Sequence, residues 1–208
     1  SGSQKDFSYY LYSAYADSKG YRQNSDVLSK DYDGRFGWTL TDILKVELMT
    51  SWHEDDYGLP GGLNDTELQT LGRRGSADDQ DFGSTKDRNV HLRLDATPWP
   101  EDLDLGHLVF DVSYRNRDSY AEFAAYDFGT KRMIDTLGLN AKYTFNQEVM
   151  GHDVDFVTGV DLYDVDNDIW GSGSNSDDIT ISKNEFGAYV FSELEVVNDT
   201  FINAGTRY

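Results

Sequence analysis

The chain has no cysteine and only 3 prolines, sets 18 Lys+Arg against 38 Asp+Glu, and contains no run of about 18 apolar residues that would serve as a membrane helix. Each shortage excludes something. Without cysteine there is no disulfide framework, no thiol nucleophile and no thiolate metal site, and the composition fits a cytosol and a cysteine-poor envelope equally. A formal charge of −20 repels phosphate and argues against a nucleic-acid partner. Residues 1–4 show no secretory signal. Mean hydropathy is −0.63, the average of a soluble acidic domain. What the chain does have is 14 Tyr, 11 Phe, 4 Trp and 19 Gly in 208 residues. A chain meant to stay unfolded avoids aromatics, and aromatics with glycine are the vocabulary of strands and turns, so the class is all-β.

Period two runs along nearly the whole sequence. Over 31–39, Tyr32, Gly34, Phe36 and Trp38 alternate with Asp31, Asp33 and Arg35. Leu44, Val46, Leu48 and Trp52 then alternate with Lys45 and Glu47, and the four residues 40–43 between the two runs predict a tight hairpin. Val90, Leu92, Leu94 and Ala96 oppose His91, Arg93 and Asp95. Leu108, Phe110, Val112 and Tyr114 oppose His107, Asp111 and Arg115, with residues 98–102 turning between these two runs. Leu137, Leu139, Ala141, Tyr143 and Phe145 oppose Thr136, Asn140 and Lys142; Val154, Phe156, Thr158, Val160 and Leu162 oppose Asp155 and Asp161. With runs at 7–16, 183–193 and 200–208, about nine strands are expected, most of them long enough to cross a bilayer.

Short connections near 40–43, 97–103, 146–152 and 194–199 alternate with long polar segments near 17–30, 53–87, 117–131 and 164–181. That rhythm belongs to an antiparallel up-and-down transmembrane β-barrel, with short turns at one end and long extracellular loops at the other. Trp38, Trp52, Trp99, Tyr143 and Phe145 fall near strand ends, where interfacial aromatic girdles sit. A soluble β-sandwich also alternates, and periodicity does not say which face meets solvent.

Residues 182–208 contain Gly187, Tyr189, Glu193, Asn198, Asp199, Gly205, Arg207 and Tyr208. This hairpin resembles one in TonB-dependent outer-membrane receptors: Gly-x-Tyr-x-x-x-Glu, a short Asn/Asp turn, then a strand ending Gly-x-Arg-Tyr. Residues 20–26 (GYRQNSD) and 52–63 (WHEDDYGLPGGL) resemble the same family. The resemblance implies a bacterial outer-membrane location in a Gram-negative cell and transport of a scarce nutrient such as a ferric siderophore, haem or corrinoid. It also implies coupling to the inner-membrane protein TonB through a plug. No segment here resembles that plug, and nine strands fall short of the family's larger barrel, so the expectation is a single partial barrel domain over 1–208, from the middle of a receptor. Lipid and a small nutrient ligand are then the expected partners, without cofactor or enzymatic activity.

Candidate sites are few. Asp164, Asp166 and Asp168 imitate the start of a calcium loop, but Ile169 stands at the sixth position and Asn175 at the twelfth, which excludes an EF-hand and leaves a loose calcium site as the candidate. His53, His91, His107 and His152 lack zinc-motif spacing; His91 and His107 fall on the polar face of adjacent strands. No Gly-x-Ser-x-Gly elbow, phosphate loop or shaped Ser/His/Asp set is present. In the segment 53–87, Asn64 followed by Glu67 predicts a capped helix over 65–71 ending at Gly72. The basic pair Arg73 and Arg74 beyond it, beside Asp55, Asp56 and Tyr57, is the candidate site for an anionic or ferric-chelate ligand, because a guanidinium fork matches carboxylate geometry. Tyr120, Phe123, Tyr126 and Phe128 are expected to pack between loops. Two other readings stand beside transport: a secreted β-sandwich binding sugar or calcium, and a structural barrel in an envelope assembly.

Overall fold

A computed structural model describes residues 1–98, 106–149, 151–172, 178–197 and 200–208. The strands are β1 (Gly2–Gln4), β2 (Phe7–Ser18), β3 (Val27–Thr41), β4 (Leu44–Gly58), β5 (Phe82–Ala96), β6 (His107–Phe123), β7 (Phe128–Val149), β8 (His152–Ser172), β9 (Ile179–Val197) and β10 (Thr200–Arg207), with one helix, α1 (Asp65–Leu71), between β4 and β5. All ten strands form one sheet in chain order, each antiparallel to the next, with β1 and β10 at its unclosed edges. The fold is an all-β, up-and-down partial barrel. A sandwich needs a second sheet, and the described strands all belong to one.

Directly paired residues share a face, so the register sorts the side chains. Across β4, β5, β6 and β7 one row reads Leu48, Leu92, Val112, Leu139, and the neighbouring row on the other face reads Glu47, Arg93, Asp111, Asn140. The apolar face is the open one: Leu48, Val90, Tyr114 and Leu137 are all exposed. The charged face is the enclosed one, with the Asp111, Asp161 and Asp87 side chains only 17%, 18% and 19% accessible. Curling of a sheet crowds its inner face, so the charged face is concave. Only Val109 and Val154 are buried hydrophobics, and no interior apolar core exists among the described residues. The apolar stretch of β7, from Leu137 to Phe145, runs about 27 Å along the strand and about 21 Å at a tilt of ~40°, close to the ~25 Å band of a membrane barrel.

Aromatics close both ends of that band. At the short-turn end Phe7 meets Trp38 edge-on at 5.6 Å, and Tyr143, Phe145 and Phe156 stack at 5.2 and 4.9 Å. At the other end Tyr32 pairs with Trp52, over which Arg88 lies at 5.4 Å. Trp99 lies outside the described residues.

The segments expected as long loops are strand at their ends, and those at 117–131 and 164–181 are strand for most of their length. The connections shrink to 19–26, 59–81 and 124–127, and the fourth, at 173–178, contains residues outside the described set. Among the described residues there are ten strands rather than nine, the extra one being the three-residue β1. Above the apolar band polar residues occupy both faces of the sheet among scattered aromatics, so strict alternation disappears while the backbone ladder continues. Cross-strand polar pairs hold it: Lys86 with Glu54 at 3.3 Å, Lys131 with Asp118 at 3.4 Å, and Thr180 and Ser182 donating to Asp168 and Asp166 at 2.6 Å each. Asp164, Asp166 and Asp168 therefore line the outer face of β8 instead of a loop. Among the described residues no group of three or more His, Asp or Glu side chains could hold a metal ion. Tyr120, Phe123 and Phe128 are strand residues too: Phe123 stacks on Phe128 at 6.2 Å, Tyr120 packs on Phe82 at 5.8 Å, and Tyr126 stays 80% exposed.

The tight hairpin is present, with β3 and β4 running to Thr41 and from Leu44 around Asp42 and Ile43. The turns expected at 97–103, 146–152 and 194–199 each include residues outside the described set.

Tyrosines lie across glycines on the concave face. A Cβ on Gly159 would stand 2.5 Å from Tyr189 Cζ, one on Gly83 2.6 Å from Tyr57 Cζ, and one on Gly138 2.9 Å from Tyr163 Cε1. Each ring covers the backbone that a glycine leaves bare, the cross-strand rescue that strengthens a Gly-containing strand. Gly159→Ala should cost about 1–3 kcal/mol, since Tyr189 and the Ala141 carbonyl, 2.6 Å from that Cβ, would have to shift. Gly62→Ala, with nothing within 4 Å, should change stability by less than about 0.5 kcal/mol. Urea unfolding of the protein in lipid vesicles compares the two.

Candidate functional site

The concave face is a hydrogen-bonded polar wall. At its middle Arg93 grips Asp111 through Nε and Nη2 at 2.8 and 3.3 Å, and His91 Nε2 reaches the same carboxylate at 2.7 Å. Arg35 pairs with Glu47 at 2.9 Å, and His107 Nε2 lies 2.6 Å from Asp95. Farther along the sheet Asn140 and Arg207 both donate to Asp161, at 2.8 and 2.9 Å. The charges expected to face inward, Lys45, Glu47, Arg93, Asp95, Asp111, Arg115, Lys142, Asp155 and Asp161, all fall on this face in the observed register. The expected neighbourhood of His91 and His107 resolves into two separate His–Asp bonds across the β5–β6 pair.

The residues that resemble the receptor hairpin are part of the same wall. Tyr189 covers Gly159, while Gly187 leaves room for the Arg207 guanidinium, whose Nη2 would stand 3.4 Å from an added Cβ. Arg207 reaches Asp161 across that gap. Tyr208 closes the edge by backbone bonds with Ala188 at 2.9 and 3.2 Å. Asn198 and Asp199 lie outside the described residues.

Nearer the loops, Asp31, Asp33, Ser51, His53, Asp87, Asn89 and Arg115 line a polar hollow of about 510 Å³. His53 Nδ1 lies 2.6 Å from Asp31 Oδ1 and its Nε2 3.3 Å from Asp55 Oδ2. Arg115 holds Asp87 with both nitrogens of its fork, Nε at 2.9 Å from Oδ1. Asp55 Oδ1 is buried with no hydrogen-bond partner among the described residues. Burying a carboxylate oxygen without a donor costs free energy.

The candidate residues Asp55, Asp56, Tyr57, Arg73 and Arg74 do not form one cluster. Asp55 and Tyr57 pair with Thr85 and Gly83 on the concave face, whereas Asp56 pairs with Ser84 on the outer face, because successive strand residues point to opposite sides. Arg73 and Arg74 sit exposed in the 59–81 loop beyond α1. That helix is where the sequence puts it. Asn64 Oδ1 accepts from the Thr66 and Glu67 amides at 3.0 Å each, Glu67 answers to the Asn64 amide at 2.8 Å, and Gly72 ends the helix at φ 71°, a conformation that favours glycine.

Two residues of the segment 20–26, to which the sequence assigned no role of their own, organise this loop. Arg22 donates to three carbonyls, Gly75 at 3.0 Å, Gly61 at 2.7 Å and Pro60 at 3.1 Å. Asn24, at φ 52°, donates to the Asp81, Leu59 and Asp78 carbonyls at 2.7, 3.2 and 3.2 Å. The Gln23 amide donates to Arg74 O at 2.8 Å, and Arg74 stacks over Tyr21 at 5.2 Å. Buried Asp81 accepts from the Ala124 amide at 2.7 Å, tying the next connection to the same cap. The signal was present in the segment 20–26, since Asn tolerates the left-handed conformation and Arg carries enough donors for several carbonyls. Which carbonyls they meet depends on residues 35 or more positions away.

No family model matches the sequence, and no curated protein does. Solved structures do match. The unliganded ferric citrate transporter FecA aligns with 99% of the chain at 14% identity and TM-score 0.81, over 32% of its own length. The open form of the ferric-catecholate import receptor Fiu from E. coli K12 aligns with 100% at 11% identity and TM-score 0.80, over 40% of its length. The copper transporter OprC aligns with 99% at 16% identity and TM-score 0.73, over 33%. The chain thus spans about a third of the proteins it matches.

Arg22→Ala should release the 59–81 loop: amide protection at Leu59 and Ala77, whose N–H groups bond Asp81 O and Pro60 O at 2.9 Å, should fall by about ten- to a hundredfold in hydrogen exchange. Arg73→Ala should leave both unchanged. At identities this low the likeness is one of architecture, and the chain has the fold of part of the barrel of TonB-dependent siderophore and metal receptors.

Proposed function

We propose that this chain is a stretch of the barrel wall of an outer-membrane receptor in a Gram-negative bacterium, which takes up a scarce nutrient and is driven by TonB through a plug supplied elsewhere in the protein. The sorting of the sheet carries the reading. One face is apolar, exposed and bounded by aromatic rows; the other is charged, enclosed and laced by hydrogen bonds. In water the apolar face would be left without a partner, since no second layer covers it among the described residues. Against lipid it is at home, while Arg or Lys there would cost roughly 2–4 kcal/mol at mid-membrane. The ferric citrate, ferric-catecholate and copper proteins that share the fold support nutrient uptake as the activity.

The ligand is a ferric siderophore, haem or corrinoid, and its first contact is the loop end of the wall. Arg73 and Arg74 stand exposed on a loop that Arg22 and Asn24 fix in place, and they supply the positive charge that an anionic chelate needs in a chain of charge −20. Below them, Asp55 and Tyr57 lie on the inner wall, paired with Thr85 and Gly83. Asp56 faces outward and takes no part. The calcium candidate at Asp164, Asp166 and Asp168 receives no support from its place on the outer face of β8.

The double variant Arg73→Ala/Arg74→Ala should lower uptake of the nutrient by the full-length receptor about tenfold or more, at unchanged abundance in the outer membrane. Uptake within twofold of the parent would refute the role of the pair. Growth of a deletion strain on ferric siderophores, haem and corrinoids supplied one at a time identifies the class.

A further inference from the structure

On β7 to β9 the aliphatic residues above the apolar band turn inward. Within the band the apolar side chains of β8 face outward, as Val160 and Leu162 do. Above it Asp164, Asp166 and Asp168 take the outward positions, while Val165, Asn167 and Ile169 face the concave side. The neighbouring strands agree: Asp135 and Ser182 point out, and Ile134, Ile179 and Ile181 point in. Ile134 and Ile181 flank Asn167 in one row, and Arg132, Ile169 and Ile179 form the next. With strands ~4.8 Å apart and alternate residues ~6.8 Å apart, the strip covers about 10 by 7 Å. Ile179 and Ile181 are 48% and 51% exposed although they stand on the enclosed side of the sheet.

Cations border the isoleucines. Arg117 pairs directly with Ile134, and Arg132 with Ile169. Both arginines are exposed, and among the described residues neither has an ion pair; Arg132 Nε donates to a neutral amide, Asn167 Oδ1, at 2.8 Å. The carboxylate opposite Arg117 on β5, Asp87, is held by both nitrogens of the Arg115 fork. On β9 Lys183 and Glu185 bond each other. Above the band β7 and β8 bring no acid to the concave face, because Asp135, Asp164, Asp166 and Asp168 all point outward, and Asp127 and Asp178 lie beyond the strand ends.

From this juxtaposition we propose that the inner wall of β6 to β9 binds an amphiphilic anion, a ligand with a carboxylate or similar oxyanion at one end and an aliphatic or aryl face at the other. Arg117 and Arg132 hold the oxyanion, and Ile134, Ile169, Ile179 and Ile181 cover the apolar part. The two features select the occupant together. A wholly hydrophilic anion would leave the isoleucines against water, and a neutral apolar molecule would leave two guanidinium forks without an acceptor. The inference rests on the uptake reading above and narrows its ligand to anions with a sizeable apolar part.

The test uses the full-length receptor in nanodiscs, with 1-pyrenebutyrate as the probe and empty nanodiscs subtracted for partition into lipid. Fluorescence anisotropy reads binding. The expected result is saturable binding that Arg117→Gln/Arg132→Gln weakens about tenfold or more. Ile169→Ser/Ile181→Ser should weaken it comparably with both arginines in place, while Lys142→Gln, lower on the same face, should leave it within twofold. Heat-modified gel migration reports that each variant is folded. Unlabelled 4-phenylbutyrate should displace the probe at concentrations at least tenfold below acetate; equal displacement would make this a free-anion site and overturn the proposal. Binding that neither double variant changes overturns it as well. So does absence of binding by the parent, which would mean that the rest of the protein covers the strip. Nutrient uptake by the parent in a deletion strain separates the two levels: uptake without these binding effects defeats the amphiphile site alone, whereas no uptake of any nutrient defeats the reading on which it rests.

Discussion

The backbone ladder is the constraint from which the rest follows. Every peptide group in a strand carries a donor and an acceptor, and in hydrocarbon no water is present to satisfy them. Antiparallel pairing does so from β2 to β9, over strands of 12 to 22 residues with one irregularity between Thr39 and Thr41, and continues above the apolar band into the loop end. Once the ladder is fixed, side chains have only two directions in which to point. A sheet in that position needs no apolar core, and among the described residues only two hydrophobic side chains are buried. Stability must come from the ladder, from cross-strand pairs and from contact with the surroundings.

The concave face shows how cross-strand pairs share that task. Salt bridges on an exposed surface contribute about 0–1 kcal/mol each, but Asp111 and Asp87 sit in an enclosed wall where each carboxylate meets a guanidinium fork, a geometry that holds neighbouring strands in register. Tyrosines over Gly83, Gly138 and Gly159 do the same by packing. The wall is consequently polar and tied across its strands. The cap above it is tied in another way: Arg22 and Asn24 spend their donors on loop carbonyls, so the exposed arginines 73 and 74 are displayed on a fixed frame.

Most of the architecture was legible because period two is a local property. The alternation of Leu137 to Phe145 with Thr136, Asn140 and Lys142 needs no knowledge of any other strand, and the capping box at Asn64 and Glu67 is equally local. The connections are narrower than the expected loops for a physical reason. From 53 to 58 and 117 to 123 both faces meet water, so nothing in the pattern distinguishes strand from loop, although cross-strand partners keep the ladder intact. The candidate site was legible only in part. Arg73 and Arg74 stand out by charge, but the separation of Asp55 from Asp56 follows from a strand reaching Gly58, and the anchoring by Arg22 joins positions that are distant in sequence.

The central claim is that the apolar face meets lipid and the charged face meets an aqueous interior. The absence of cysteine makes a direct test available, because a single cysteine can be placed at each position from 137 to 145 in turn and labelled with a nitroxide. Collision with oxygen, which partitions into lipid, and with a water-soluble nickel chelate is then read in the reconstituted protein. The account predicts oxygen maxima at 137, 139, 141, 143 and 145 and chelate maxima at the even positions between them. Uniform exposure to the chelate along the strand, or alternation in the opposite phase, would contradict it.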